Sequence, residues 1–170
     1  MLSALVLHMP NPRAREPAEP VVRTLAALVP AALEGVLRDV AIAGPQSAGL
    51  ESVADHAGCL FVAAETEAEQ IARGGAALRG SLAFVIRAGA IPESAFVAEL
   101  DDLLRDGGRA ALMRAAPTNV VERLLPDFAA VSALVVARES LVSGRAASFA
   151  ALVRLARPAP VLRARARPLR

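Results

Sequence analysis

Short apolar runs alternate along this chain with stretches of helical spacing, joined by brief turn sequences, and no other feature restricts the fold as much. Ser3 to His8, Val36 to Ala43, Leu60 to Ala63 and Leu82 to Ile86 read as strands. After the first of them, Val21, Val22, Leu25, Leu28 and Val29 recur at helical spacing behind Pro20, a residue suited to a first helical turn. Leu50 to Ala57 predicts a short helix that Gly58 can close in the left-handed conformation. Glu67 to Leu78 predicts a third helix, with acids in the first turn where the helix dipole favours them. Pro92 is expected to start a fourth, carrying Phe96, Val97, Leu100, Leu103 and Leu104 and ending at Gly107-Gly108. Strands and helices in alternation with short loops imply parallel strands joined by right-handed crossovers. The expected fold class is therefore α/β, a three-layer α/β/α sandwich with a mostly parallel sheet.

The second part of the chain predicts a strand near Arg109 to Met113, a short helical stretch near Asn119 to Leu124, a strand near Ala133 to Ala137 and a helix near Ala147 to Ala156. Gly74 and Gly75 fall inside the third helix. Glycine there costs about 1 kcal/mol against alanine, so a close approach of backbone or ligand is expected at that point.

At 170 residues and 55% apolar composition the chain can bury one continuous core. We take residues 1–157 as one domain and 158–170 as a basic C-terminal tail. Thirteen arginines and all 17 acids precede residue 154, whereas Arg154, Arg157, Arg163, Arg165, Arg167 and Arg170 crowd the end without an acid, for a net charge of +2. Such an end is expected to be a solvated, frayed segment, or to touch an acidic partner or an anionic membrane through Arg163, Arg165, Arg167 and Arg170. No specific nucleic-acid binding is expected.

Cys59 is the sole cysteine, which excludes an intramolecular disulfide or a multi-cysteine metal site and reads as a small buried residue at a strand entry. Leu2 to Leu7 is too short for a secretory signal, and no apolar run reaches the ~20 residues of a membrane span. The expected location is cytoplasmic, with contact to a membrane surface an open role for the basic end.

In an open parallel sheet, ligands sit outside the carboxyl ends of the strands. Here those ends are His8 to Arg15, Gly44 to Gly49, Ala64 to Thr66 and Arg87 to Ala90. No P-loop and no G-x-G-x-x-G follows a strand. His8 ends the first strand, where it is either a base or ligand contact or a packed structural histidine, while His56 reads as a residue of a helix end. Ser47 lacks the glycines of a nucleophile elbow and reads as a turn residue. Glu99, Asp101, Asp102 and Asp106 are expected to form a solvated helix face. Arg87 directly follows the most strand-like run, where a guanidinium can grip a phosphate or simply reach water or a neighbouring carboxylate.

The order of these elements resembles the GT-A fold of family 2 glycosyltransferases along nearly the whole chain. LVLHMPNPRAREP stands where that family has its first strand and acidic loop, and Arg23 to Leu28 resembles the helix that follows. A-G-P-Q-S-A-G-L occupies the place of a D-G-G-S-T-D-G-T loop, with Gly44 and Gly49 matching and Ala43 and Ala48 replacing the aspartates. Gly74, Arg79 and Gly80 match the helix ending G-A-x-x-A-R-G. Leu82 to Ile86 matches the strand before an acidic metal motif, which here reads Arg87-Ala88-Gly89. VSALVVARESL resembles the strand and helix preceding the family's catalytic acid, and no acid follows Glu139.

What the resemblance implies is a nucleotide-diphospho-sugar transferase-like domain degenerate in its acidic motifs, with its divalent metal site lost and no cofactor. Oxygen ligands are what magnesium and manganese require, and arginine and glycine side chains supply none. The candidates for a nucleotide or ligand cleft are His8, Glu16, Gly44, Ser47, Arg87 and Gly89. The expected ligand is a nucleotide sugar or a related small molecule. The alternatives are an active metal-independent transferase using Glu16, Glu19 or His8 as base, and a non-catalytic module that binds a protein partner.

Overall fold

A computed structural model describes residues 2–10, 18–118, 122, 124 and 129–168. Its first half follows the predicted alternation: β1 (Leu2–Leu7), α1 (Glu19–Leu33), β2 (Leu37–Gly44), α2 (Ala48–His56), β3 (Leu60–Ala63), α3 (Glu67–Ala77) and β4 (Leu82–Arg87). Then come β5 (Ala90–Pro92), α4 (Phe96–Arg105), β6 (Ala111–Arg114), β7 (Val131–Ala137), α5 (Arg138–Val142), α6 (Phe149–Ala156) and β8 (Ala166–Pro168). The helical stretch expected near Asn119 to Leu124 falls outside the described residues apart from Glu122 and Leu124.

Six strands form the main sheet in the order β3-β2-β1-β4-β7-β6, and β5 pairs with β8 in a separate ribbon. The β1–β2, β1–β4 and β2–β3 pairs are parallel, while β7 runs antiparallel to both β4 and β6. The sheet is thus mostly parallel, as expected. β1 is buried along its whole length because it lies between β2 and β4 and is covered on both faces. Leu2, Ala4 and Val6 join the core beneath α1, α2 and α4, whereas Leu5 and Leu7 join the core beneath α3, α5 and α6. That alternation of neighbours makes the three layers.

The crossover from β3 to β4 passes over the sheet on α3. Thr66 and Glu69 start this helix with a capping box, in which each side chain accepts a hydrogen bond from the other's backbone N–H. The expected close approach occurs at the two glycines. A Cβ on Gly74 would lie 2.5 Å from Leu5 Cδ1 of β1, and one on Gly75 would lie 2.5 Å from Leu141 Cβ of α5. At the amino edge of the sheet, Ser3 Oγ donates to Asp39 and accepts from the Gly80 N–H at 2.7 Å, a polar tie that holds the β1, β2 and β4 entries together.

Two expectations are corrected here. The fourth helix starts at Phe96 rather than Pro92, because Ala90–Pro92 is engaged as a strand with Ala166–Pro168. Nor is the arginine-rich end a frayed tail over 160–168. Leu162, Ala164 and Ala166 are buried in the core, with exposed Arg163 and half-buried Arg165 between them and exposed Arg167 after them. The Glu99 carboxylate accepts the backbone N–H groups of Arg163 and Ala164 at 2.7 and 3.0 Å, so it is not part of a purely solvated acidic face. Asp101 and Asp102 do remain on the surface, each paired with Arg105. Among the described residues, no helix is long and apolar enough to cross a membrane.

Candidate functional site

The chain builds β1, β2 and β3 in one direction across the sheet and then returns to place β4 on the other side of β1. The strand order thus reverses between β1 and β4, and in open α/β sheets a ligand crevice lies outside the carboxyl ends of the strands at such a reversal. A cleft of about 270 Å³ lies there, lined by Leu7, Met9, Glu67, Arg87 and Ala88.

Arg87 is the last residue of β4, level with Leu7 in the parallel register. Its half-exposed guanidinium is held from two sides. Arg87 Nη2 lies 3.2 Å from Glu67 Oε1 at the first residue of α3, and Arg87 Cζ lies 4.6 Å from the centroid of the Phe149 ring at the first residue of α6. A cation over an aromatic face and beside a carboxylate is oriented rather than free to sweep through solvent. One ion-pair contact leaves most of the five N–H donors of an arginine for a ligand.

His8 and Gly44 sit at the same height one and two strands away. The His8 N–H donates to the Ala43 carbonyl at 2.8 Å, and a Cβ on Gly44 would lie 3.2 Å from His8 Cβ. His8 is only 3% exposed, and its Nδ1 is buried without a hydrogen-bond partner. Burial pushes its imidazole below the ordinary pKa, so the neutral ring is favoured. It packs under Gly44 and does not line the cleft. Ser47 occupies the N-cap position of α2 in extended conformation with no side-chain cap bond, one strand farther out.

Gly89 turns β4 into β5 at φ 90°, a conformation that a side chain rarely adopts. Its N–H donates to Thr24 Oγ1 at 2.9 Å and to the Pro20 carbonyl at 3.1 Å, which ties the turn to α1. Glu16 lies outside the described residues. Of the other bases proposed from sequence, Glu19 accepts from Arg23 Nε at 3.0 Å on the outer surface of α1.

Three contributors escape a reading of the sequence. Gln70, fully buried on α3, donates from Nε2 to the His8 carbonyl at 3.0 Å and to the Ala64 carbonyl at 3.5 Å, bridging the ends of β1 and β3. Glu67 reads locally as an acid that suits a helix start. Phe149 gives no local sign at all, since it reaches Arg87 only after β7 has crossed back beside β4. Arg167 pairs with Glu93 at 3.7 Å and, with Arg23 and Thr118, lines a second groove of about 490 Å³ beside the β5–β8 ribbon.

Among the described residues, Glu67 is the one carboxylate lining the crevice, and the Arg87 guanidinium beside it repels a metal ion, so these described donors do not fit a hard divalent cation. Among the described residues, no group of three or more His, Cys, Asp or Glu is arranged to hold a metal.

No family model matches the chain, and no curated protein matches it by sequence. Solved structures do match. The glucosyl-3-phosphoglycerate synthase of Mycobacterium tuberculosis, solved with Mn2+, uridine-diphosphate-glucose and phosphoglyceric acid, aligns with a TM-score of 0.59 at 18% identity, over 94% of this chain and 68% of that one. The bifunctional IspDF of Campylobacter jejuni aligns at 0.63 and 10% identity, over 95% of this chain and 48% of that one. A further mycobacterial protein aligns at 0.59 and 19% identity, over 99% and 65%. Identities this low speak to fold alone, and together with the strand order they establish that this chain has the nucleotide-diphospho-sugar transferase-like fold.

Proposed function

We propose that the crevice at the carboxyl ends of β1 and β4 binds the diphosphate of a nucleotide sugar through Arg87 without a divalent cation. On this reading the protein is a glycosyltransferase-like domain degenerate for metal-held sugar transfer. The observation that carries it is the placement of an oriented guanidinium, braced by Phe149 and Glu67, at the β4 end where the resembling family has an acidic metal motif. A guanidinium can offer paired N–H donors to phosphate oxygens and supply the positive charge that the cation would otherwise bring. The M. tuberculosis synthase, crystallised with uridine-diphosphate-glucose and Mn2+, supports the ligand class. Glu67 tempers the site, because its carboxylate neutralises Arg87 and a phosphate must displace it.

Calorimetric titration with uridine-diphosphate-glucose, with and without manganese, tests this reading alongside a nucleotide-release assay. Expected are equal affinities in both conditions, an affinity about tenfold lower in Arg87→Ala, and no nucleotide release. Affinity that appears only with manganese, or steady release of uridine diphosphate, overturns it.

A further inference from the structure

α1 has no polar side chain between Thr24 and Glu34. Val21, Leu25, Leu28 and Ala31 bury one side of it against the sheet. The opposite side is just as apolar and lies open: Val22 is 46% exposed, Val29 49% and Leu33 82%, with Ala26 exposed among them. A surface helix ordinarily turns charged residues outward, and a helix apolar all round is a covered one. The four open positions are spaced by four, three and four residues, the spacing of a helix–helix seam. Beside them, α1 and α2 frame a mostly apolar groove of about 310 Å³ that includes Val53 and His56 of α2 and Ala57 just after it, a hole able to receive side chains from a facing helix.

We propose that this face is an isologous contact between two copies of this chain, with α1 packed antiparallel against α1 of the second copy. A two-fold axis at the middle of the seam sets Val22 on Leu33 of the second copy and Ala26 on Val29, so the open apolar set covers itself. Charge selects the direction. Arg23 and Glu34 flank the two ends of the seam on the same side of the helix, and among the described residues Glu34 has no ion-pair partner. Antiparallel packing brings each arginine end beside a glutamate end and opposes the helix dipoles favourably. Parallel packing would set Glu34 against Glu34. Arg23 is held only by exposed Glu19 at 2.8 Å, a pair that exchanges at little cost.

Sedimentation equilibrium of the full chain between about 1 and 100 µM tests the contact, because the monomer mass is 17.6 kDa and a dimer weighs twice that. The wild type is expected to dimerise within that range. Val29→Glu and Leu33→Glu, both at exposed sites that the monomer fold does not need, should raise the dimer dissociation constant about a hundredfold with an unchanged circular dichroism spectrum. Arg23→Glu and Glu34→Arg should each weaken dimerisation about fivefold, and the double exchange should restore it. A chain monomeric throughout, a dimer indifferent to Val29→Glu, mass growing beyond the dimer, or a double exchange as weak as either single change would each overturn the proposal. None of these outcomes bears on the crevice reading, since the seam lies on the outer face of α1.

Discussion

The Arg87 guanidinium stands 4.6 Å over the Phe149 ring, so the residue that ends the central strand β4 is oriented by a side chain from α6. This relationship converts an exposed arginine into a directed one. Phe149 is itself almost fully buried, which makes it a rigid support.

Two substitutions separate support from charge. Phe149→Leu keeps an apolar side chain in the core but removes the ring, and should lower uridine-diphosphate-glucose affinity about threefold, the factor for a cation–π contact of ~0.6 kcal/mol at an exposed site. Glu67→Gln removes the competing carboxylate and should raise affinity about fivefold, corresponding to ~1 kcal/mol for a partly exposed pair. Calorimetry on both variants measures the two effects, and a gain in affinity in Phe149→Leu would contradict the bracing role.

Buried His8 makes stability depend on pH with a definite sign. Its pKa is lowered below 6.5 in the folded state, so between pH 6.5 and that lower value the unfolded chain binds the proton more readily. The stability contributed by the neutral ring is fully present above pH 6.5 and is lost as pH falls through the folded-state pKa. Urea unfolding at a series of pH values should show this slope in the wild type and a shallower one in His8→Gln.

Glycines on two helices should respond in opposite directions to alanine. In Gly75→Ala the new methyl would lie 2.5 Å from Leu141 Cβ, and such overpacking costs ~1–3 kcal/mol, more than the ~1 kcal/mol that alanine contributes to a helix. Gly49→Ala meets nothing closer than Ser47 Oγ at 3.7 Å and should be stabilising by up to ~1 kcal/mol. Urea midpoints of the two variants test the contrast.

Glu99 holds the C-terminal segment to the body through two backbone N–H groups. Glu99→Ala should loosen residues 160–168 at a cost of ~2 kcal/mol in local stability. Trypsin cleavage after Arg163 and Arg165 then rises about thirtyfold, the factor that ~2 kcal/mol sets on the open population, and mass spectrometry of the early fragments detects it.

Much of the first half was legible because its signals are local. Ser3 to His8 anticipates β1, and Leu82 to Ile86 anticipates β4 within a residue. Gly74 and Gly75 announced a close approach because glycine is costly in a helix unless something needs the space. Local patterns could not reveal that Ala90–Pro92 becomes a strand, since its partner comes from Ala166–Pro168 near the other end of the chain. The arginines of that end suggested solvent, yet the alternating Leu162, Ala164 and Ala166 are what the core takes up. Of the crevice candidates, Arg87 lines the cleft, Gly44 and His8 pack against each other at the neighbouring strand ends without lining it, and Glu67, Gln70 and Phe149 join only through the fold.

Taken alone, the residue order determined the period of each segment, and with it the layers and the rim where strand ends could meet a ligand. Which charges face one another was decided by tertiary structure. β1 lies between β2 and β4, and β7 returns antiparallel beside β4, so Arg87 meets Glu67 and Phe149. Backbone periodicity is written in neighbouring residues, whereas the pairing of side chains depends on strand order, which only burial of the whole sheet selects.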